Sequence, residues 1–149
     1  MYYLIYGFLY LISLIPLRVL YIFSDGIALL LYYLLAYRKK IVLANLQIAF
    51  PEKTVAERKD IAKRFYRNFT DTFIETIKFL SWTLKDIDKR FTINSAGLEE
   101  AYRYKKTVHL VGMHNFNWEF VNWGLVKKVP YPFLGIYMPV GNKAFDKII

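Results

Sequence analysis

Apolar residues fill the first 37 positions of the chain almost without interruption. Arg18 and Asp25 carry the only charges there, and Pro16 and Gly26 divide the segment into two apolar stretches. A helix that crosses a bilayer needs about 20 apolar residues, and the first stretch is slightly shorter. The pattern predicts a membrane-embedded segment over residues 1–37, either one helix that passes through the Pro16 region or a two-piece interfacial hairpin. A buried helix pair of a globular domain is the alternative.

Basic residues flank only the carboxyl side of this apolar segment. Arg38, Lys39 and Lys40 follow it directly, and no Lys or Arg stands before it. Because Lys and Arg accumulate at the cytoplasmic end of a membrane segment, we expect residues 38–149 to lie on the cytoplasmic side. Residues 1–37 would then serve as the membrane anchor of the domain formed by residues 38–149.

A helix-start signature follows Pro51. Thr54 and Glu57 have the spacing of a capping box, in which each side chain binds the backbone N–H of the other residue. A helix is therefore predicted to begin near Val55 and to run to about Leu80, because apolar residues recur at every fourth position. We interpret these residues as one packing face. They are Ile61, Phe65, Phe69, Phe73 and Ile77.

Short apolar runs alternate with helical patterns in the second half of the chain. Three runs without helical period predict strands over residues 91–94, 107–113 and 133–138. Helical patterns cover residues 95–104, residues 117–128 and the segment from Lys143 onward. The order predicts an α/β fold class, with a small mixed or parallel sheet that helices cross. In this scheme His109 lies inside a strand, as a core histidine.

The second predicted strand leads into the one place that looks like a reaction centre. His114 follows this strand, and Glu119 stands five positions later, at the start of a predicted helix. On one continuous helix this offset separates two side chains by about 140°, so they meet only if His114 lies in the loop. A neutral imidazole can take a proton from an alcohol, and a carboxylate on its other nitrogen orients it. A structural histidine near a helix start is the alternative.

Composition and charge narrow the possible classes of protein. Hydrophobic residues make up 56% and aromatics 19% of the 149 residues, which exceeds what a soluble domain needs, so part of this surplus is expected to face lipid. A net charge of +9 favours anionic partners. The chain has no cysteine and two histidines, which argues against disulfides, a thiol nucleophile and a metal site.

The basic residues concentrate between positions 38 and 67, where the sequence has nine basic and three acidic residues. A solvated polar face is the common explanation of such a run. The functional alternative is a surface that rests on anionic lipid or receives an acidic carrier protein. Nucleic-acid binding is disfavoured, because the aromatic residues fall largely on apolar stripes instead of alternating with Lys and Arg on one surface.

Four sequence features occur together along nearly the whole chain. They are the apolar amino terminus, the segment YRKKIVLANLQIAFPEKTVAERKDIAKRFYRNF, the pair His114 and Glu119, and the segment GIYMPVGNKAFD. In this combination the sequence resembles the bacterial lipid A biosynthesis acyltransferase family, the late lauroyl- and myristoyl-type enzymes. The resemblance covers the amino-terminal half of such a protein. We therefore expect the chain to be a fragment whose α/β domain, similar to lysophospholipid acyltransferases, is incomplete and inactive alone.

The resemblance also implies a reaction and its residues. His114 would be the catalytic base and Glu119 its partner, while Asn117, Trp118 and Asn142 would bind substrate. A fatty acyl chain would move from the thioester of acyl carrier protein to a hydroxyl of a lipid A precursor or related lipid. The site would lie at the cytoplasmic face of the bacterial inner membrane and would need no metal or cofactor. Coenzyme A as the donor, other acceptor lipids and the acyl length stay open.

Two positions depart from the family pattern. Phe116 stands where many members have glycine, which would narrow the acyl or acceptor path or repack the loop. Met138 stands where many have arginine, so one contact to an anionic head group would be missing. The alternative function is a non-catalytic, membrane-attached module that binds lipid or carrier protein, in which His114 and Glu119 are structural.

Overall fold

The computed structural model describes residues 2–94, 96–109, 111, 117–129, 131–132 and 134–136. Within this part of the chain the regular elements are helices. They are α1 (Tyr2–Leu14), α2 (Leu17–Leu29), a π-helical turn (Leu30–Leu34), α3 (Lys39–Ala49), α4 (Val55–Lys78), α5 (Leu84–Asp88), α6 (Ala96–Arg103) and α7 (Trp118–Lys128). Helix α4 is the longest, and α1, α2, α3 and α7 all pack on it.

The apolar amino terminus forms two helices that are separated at Ile15 and Pro16. Proline lacks a backbone N–H, and its ring clashes with the preceding turn of a helix, so α1 ends before it and α2 begins after it. Helix α2 and its π turn give an 18-residue stretch, Leu17–Leu34, which is long and apolar enough to cross a membrane by length and composition alone. Residues 1–37 therefore form two helices, which fits both the interfacial hairpin and the buried helix pair, and membrane attachment stays a prediction.

The capping box at the start of α4 is confirmed. Glu57 Oε2 accepts a hydrogen bond from the backbone N–H of Thr54 at 2.7 Å, and Thr54 Oγ1 accepts one from the Glu57 N–H at 3.3 Å. The hydrogen bond from the Thr54 backbone stabilises the carboxylate and holds the pKa of Glu57 below its ordinary value. These bonds satisfy amide groups that a helix leaves open at its amino end, which explains why the helix begins at Val55.

The most buried face of α4 lies one residue beyond the stripe that the sequence predicts. Its members, Ala62, Tyr66, Thr70 and Ile74, are buried, whereas Phe73 of the predicted stripe is 58% exposed. Helix α2 packs on this face, where the small side chains of Ala28 and Ala62 join the rings of Tyr32 and Tyr66 in one cluster. Ser24 Oγ also donates to Thr70 Oγ1 at 2.9 Å. The predicted packing face is therefore displaced by one position.

Lys78 and Ser81 hold the carboxyl end of α1. The ammonium group of Lys78 donates to the carbonyl oxygens of Ser13 and, at 2.9 Å, of Ile15. Ser81 Oγ donates to the Ser13 carbonyl at 2.7 Å. The last carbonyls of a helix have no partner within the helix and carry a partial negative charge, so a cation stabilises them. Burial lowers the pKa of Lys78 from its ordinary value.

A second polar contact between α2 and α4 joins Tyr21 to Glu75. The Tyr21 hydroxyl donates to Glu75 Oε1. Burial raises the pKa of Glu75, and the nearby carboxylate of Asp71 raises it further, while the Tyr21 hydrogen bond and the charge of Arg90 act in the opposite direction. Glu75 therefore holds a proton more tightly in the folded protein than in the unfolded chain.

We expect Glu75→Gln to raise the free energy of unfolding at pH 7, and this gain to shrink as the pH falls towards 4.5, the ordinary pKa of glutamate. A carboxyl group whose pKa is raised by folding stabilises the folded protein while it is protonated. This contribution is lost as the pH rises through the pKa that the group has in the folded protein. Gln has no proton to lose and still accepts from Tyr21. Chemical unfolding at both pH values checks this. An equal shift in the exposed control Glu100→Gln would contradict it.

The predicted α/β fold class is wrong for the part of the chain that the structure describes. Residues 91–94, 107–109, 111 and 134–136 form no strand there, and Val111 and Ile136 are 96% and 94% exposed. An apolar run becomes a strand only when a neighbour completes its backbone hydrogen bonds, and these segments have no such neighbour among the described residues. His109, predicted in the core, is exposed.

Two helix predictions in this half of the chain are confirmed. The helix expected over 95–104 is α6, where the Asn94 side chain accepts from the Ala96 N–H at 3.1 Å. The helix expected over 117–128 is α7. The predicted helix from Lys143 onward lies outside the described residues.

Candidate functional site

The described part of the predicted reaction centre is the amino-terminal turn of α7. Asn117 directly precedes this helix and makes no side-chain capping bond, and Trp118 and Glu119 are its first residues. His114 and Asn142 lie outside the described residues. The structure therefore brings together three of the five predicted site residues at one helix terminus.

The backbone at Asn117 turns sharply into α7. Asn117 has φ of 55° and ψ of 34°, in the left-handed region, which asparagine tolerates better than most residues. Its carbonyl accepts from the N–H groups of Phe120 at 3.0 Å and Val121 at 3.3 Å. Glu119 then lies in the first turn, where the partial positive charge of the helix terminus favours a carboxylate.

Two buried acceptor atoms at this terminus have no hydrogen-bond partner among the described residues. They are Asn117 Oδ1 and Glu119 Oε2. A buried acceptor without a donor lowers the stability of a protein by about 1–3 kcal/mol, so buried acceptors in native proteins normally have a hydrogen-bond donor. The arrangement can therefore receive an N–H or O–H group from a ligand or from another part of the protein.

An aromatic cluster fixes α7 against the end of α4 and the segment that follows it. Phe79 stacks on Phe120 with ring centroids 5.3 Å apart and on Trp123 at 5.9 Å. Trp82 meets Phe120 edge-on at 5.6 Å, and Phe91 does so at 5.7 Å. Each such pair contributes about 0.5–1.5 kcal/mol beyond area burial. Phe120 follows Glu119 directly, so this cluster also positions the carboxylate.

Gly124 allows the ring of Phe91 to approach the backbone of α7. A Cβ atom at this position would lie 2.7 Å from Phe91 Cδ1 and 2.9 Å from its Cγ, which is closer than carbon atoms pack. Gly124 is buried one turn after Phe120, on the face of α7 that meets the aromatic cluster. It is thus needed for close packing and not for an unusual backbone angle, since its φ is not positive.

The aromatic cluster and the glycine that hold α7 in place were not predicted from the sequence. The sequence contains aromatic residues after the α4 stripe, at Phe79 and Trp82. It also has Phe120, Trp123 and Gly124 at a spacing that places all three on one helix face.

Within the described residues, no group of three or more His, Cys, Asp or Glu side chains could hold a metal ion.

Comparison with known proteins places the chain in a wider context. A family model described as bacterial lipid A biosynthesis acyltransferase matches residues 1–149. The chain is 27% identical over 144 residues to a lipid A biosynthesis lauroyltransferase of Escherichia coli. This alignment covers 94% of the chain and 45% of the relative, so the chain spans about half of the relative's length. No solved structure matches the chain.

Proposed function

Because the chain belongs to the bacterial lipid A biosynthesis acyltransferase family, we propose that it supplies the catalytic base of an enzyme that moves an acyl group from a thioester to a lipid hydroxyl. The family match over residues 1–149 carries this proposal. The relative is a lauroyltransferase by name, which supports a medium-length fatty acyl chain as the transferred group. Acyl carrier protein is the proposed donor, and a lipid A precursor is the proposed acceptor.

His114 is the base in this proposal, and Glu119 orients it. The imidazole takes the proton of the acceptor hydroxyl as the oxygen attacks the thioester carbonyl, and the tetrahedral intermediate then expels the thiolate, which takes the proton from the imidazolium. The buried Oε2 of Glu119 has no hydrogen-bond partner among the described residues, which supports this role because it is an acceptor suited to an imidazole N–H. His114 stands five positions before Glu119, within reach if the intervening loop turns back.

Asn117, Trp118 and Asn142 are the proposed substrate contacts. Trp118 is 37% exposed at the start of α7 and can offer an apolar surface to an acyl chain. Asn117 Oδ1, buried and without a described partner, can accept from a substrate hydroxyl. The positive end of the α7 dipole lies close by and would stabilise the oxyanion of the intermediate.

The experiment that tests the function is acyl transfer by the purified full-length protein in detergent, because residues 1–149 span about half the length of the lauroyltransferase relative. The donors are radiolabelled lauroyl acyl carrier protein and lauroyl coenzyme A, and the acceptor is a lipid A precursor with free acyl-acceptor hydroxyls. We expect labelled product from the carrier-protein donor at a higher kcat/KM than from coenzyme A. Binding of lipid and carrier protein without any turnover would instead support the non-catalytic binding module.

Residues 1–37 are the proposed membrane anchor, with residues 38–149 on the cytoplasmic side. The apolar stretch Leu17–Leu34 and the exposed apolar side chains of α1, such as Tyr3 at 84% and Leu4 at 79%, support this. Basic residues from Arg38 onward support the orientation. We expect a reporter fused after Lys53 to be active as a cytoplasmic fusion. Activity of a periplasmic reporter at the same position would contradict the proposed topology.

A further inference from the structure

A groove lies between α3 and the first turns of α4, which residues 50–54 connect. It has a volume of about 350 Å³, which is at the lower end of small-molecule sites. Each helix contributes residues spaced three or four apart, so they share one helix face. The lining consists of Lys40, Leu43, Ala44 and Gln47 from α3 and of Val55, Arg58 and Lys59 from α4.

Three basic side chains and two large apolar side chains line this groove. Lys40, Arg58 and Lys59 supply the charge, and Leu43 and Val55 supply apolar surface. The ion pairs observed in the described part of the chain, Lys63–Asp60 and Arg67–Asp25, involve none of the three cations. Their charge is therefore available to an anionic ligand.

Arg58 is partly positioned in advance. Its Nη1 donates to the backbone carbonyl of Phe50 at 3.3 Å, so the guanidinium is held by the segment that connects α3 and α4. A guanidinium has five N–H donors in a fixed planar arrangement, and one such contact leaves others for an anion. Planar donor pairs match the oxygen atoms of a phosphate.

Exposed apolar side chains lie next to the groove on the same helix. Ile41 is 56% exposed and Ile48 is 80% exposed, and both lie about a quarter of a turn from the face of Lys40. Only residues 35–38 separate α3 from the apolar stretch Leu17–Leu34. A helix with exposed isoleucines beside lysines is suited to the interface between lipid tails and head groups.

We propose that the groove between α3 and α4 binds the phosphate of an anionic phospholipid head group, with Lys40, Arg58 and Lys59 as its ligands and with Ile41 and Ile48 in the adjacent acyl region. The volume fits a head group, whereas a helix of a partner protein is about 10–12 Å wide. The inference rests on the proposed membrane attachment of residues 1–37, which places α3 at the bilayer surface. It assigns a lipid site separate from the start of α7.

The test is a calorimetric titration of the purified protein in non-ionic detergent. The probe is dihexanoyl phosphatidylglycerol, a soluble anionic phospholipid, and dihexanoyl phosphatidylcholine is the zwitterionic comparison. We expect the anionic lipid to bind more tightly. The double variant Lys40→Gln and Lys59→Gln should weaken its Kd about tenfold or more, because each basic residue near an anionic lipid surface contributes roughly a fivefold change. Arg58 stays unchanged, since it also binds the loop.

The matched control is Lys85→Gln with Lys106→Gln, which removes the same charge from two exposed positions elsewhere. It should retain the wild-type Kd and the same thermal unfolding. Equal weakening in both double variants would overturn the proposal, and so would displacement of the lipid by inorganic phosphate at similar concentration. Loss of acyl carrier protein binding with unchanged lipid binding would assign the groove to the carrier instead. The titration needs no bilayer, so it is independent of the reporter test of membrane attachment.

Discussion

We expect His114→Ala in the full-length protein to reduce kcat for acyl transfer by about 10²- to 10⁴-fold, the usual contribution of a general base. Without the imidazole, the acceptor hydroxyl must lose its proton to water as it attacks the thioester, and the departing thiolate has no proton donor. The KM for the acyl donor should change little, because the base acts on the proton and not on the bound chain. The measurement is steady-state transfer from labelled acyl carrier protein, with protein level and unfolding temperature as checks on folding.

Exposed His109 provides the matched control for this variant, since His109→Ala removes the other imidazole of the chain from a solvent position. It should keep wild-type turnover. Glu119→Gln should lower kcat less than His114→Ala, because the imidazole loses the carboxylate that orients it but can still take the proton. Wild-type kcat in His114→Ala at normal protein level would contradict the assignment of the base.

Helices with clear local signals were predictable from the sequence. The capping box of Thr54 and Glu57 fixed the start of α4 at Val55, because side-chain and backbone groups a few residues apart determine it. The face of α4 that is buried depends on which side chains allow α2 to approach. That face includes the small Ala62 and the hydrogen-bonded Thr70, which a count of large apolar residues overlooks.

The sheet was mispredicted because a strand is not a local property. The residues of an apolar run, such as that around Val108, do not identify the segment with which it would pair. Backbone pairing with a distant segment decides whether the run becomes a strand. Phe91, the first residue of another predicted strand, instead packs its ring against Phe120 of α7. Exposed Val111 and Ile136 likewise show that apolar character alone does not determine burial.

The candidate site was predictable to the extent that helix chemistry determines it. The start of α7 at Trp118, with Glu119 in its first turn, follows from the polar segment before an apolar helical pattern. The residues that hold this helix were not predictable in the same way. Contacts from Phe79 and Trp82 to Phe120 join positions about 40 residues apart, and sequence spacing carries no information on such contacts.

We expect Gly124→Leu to displace α7 and to reduce acyl transfer by about 10²-fold, the loss that a shift of about 1 Å in a catalytic group can cause. The new Cβ would already overlap the Phe91 ring, with 2.7 Å to Cδ1, and the larger side chain would force the helix or the ring to move. Overpacking of this kind costs about 1–3 kcal/mol of stability. Because Glu119 and Asn117 lie on the same helix, their positions would change with it.

The matched control is Gly97→Leu in α6, where an added Cβ has no atom within 4 Å. It makes the same chemical change in open space, so it should keep the activity and unfolding temperature of the wild type. The second variant combines Gly124→Leu with Phe91→Ala, which removes the ring that the leucine would strike. Recovery of most of the lost activity would show that the overlap with Phe91 caused the loss. Equal effects of Gly124→Leu and Gly97→Leu would mean that close packing on Phe91 does not position Glu119.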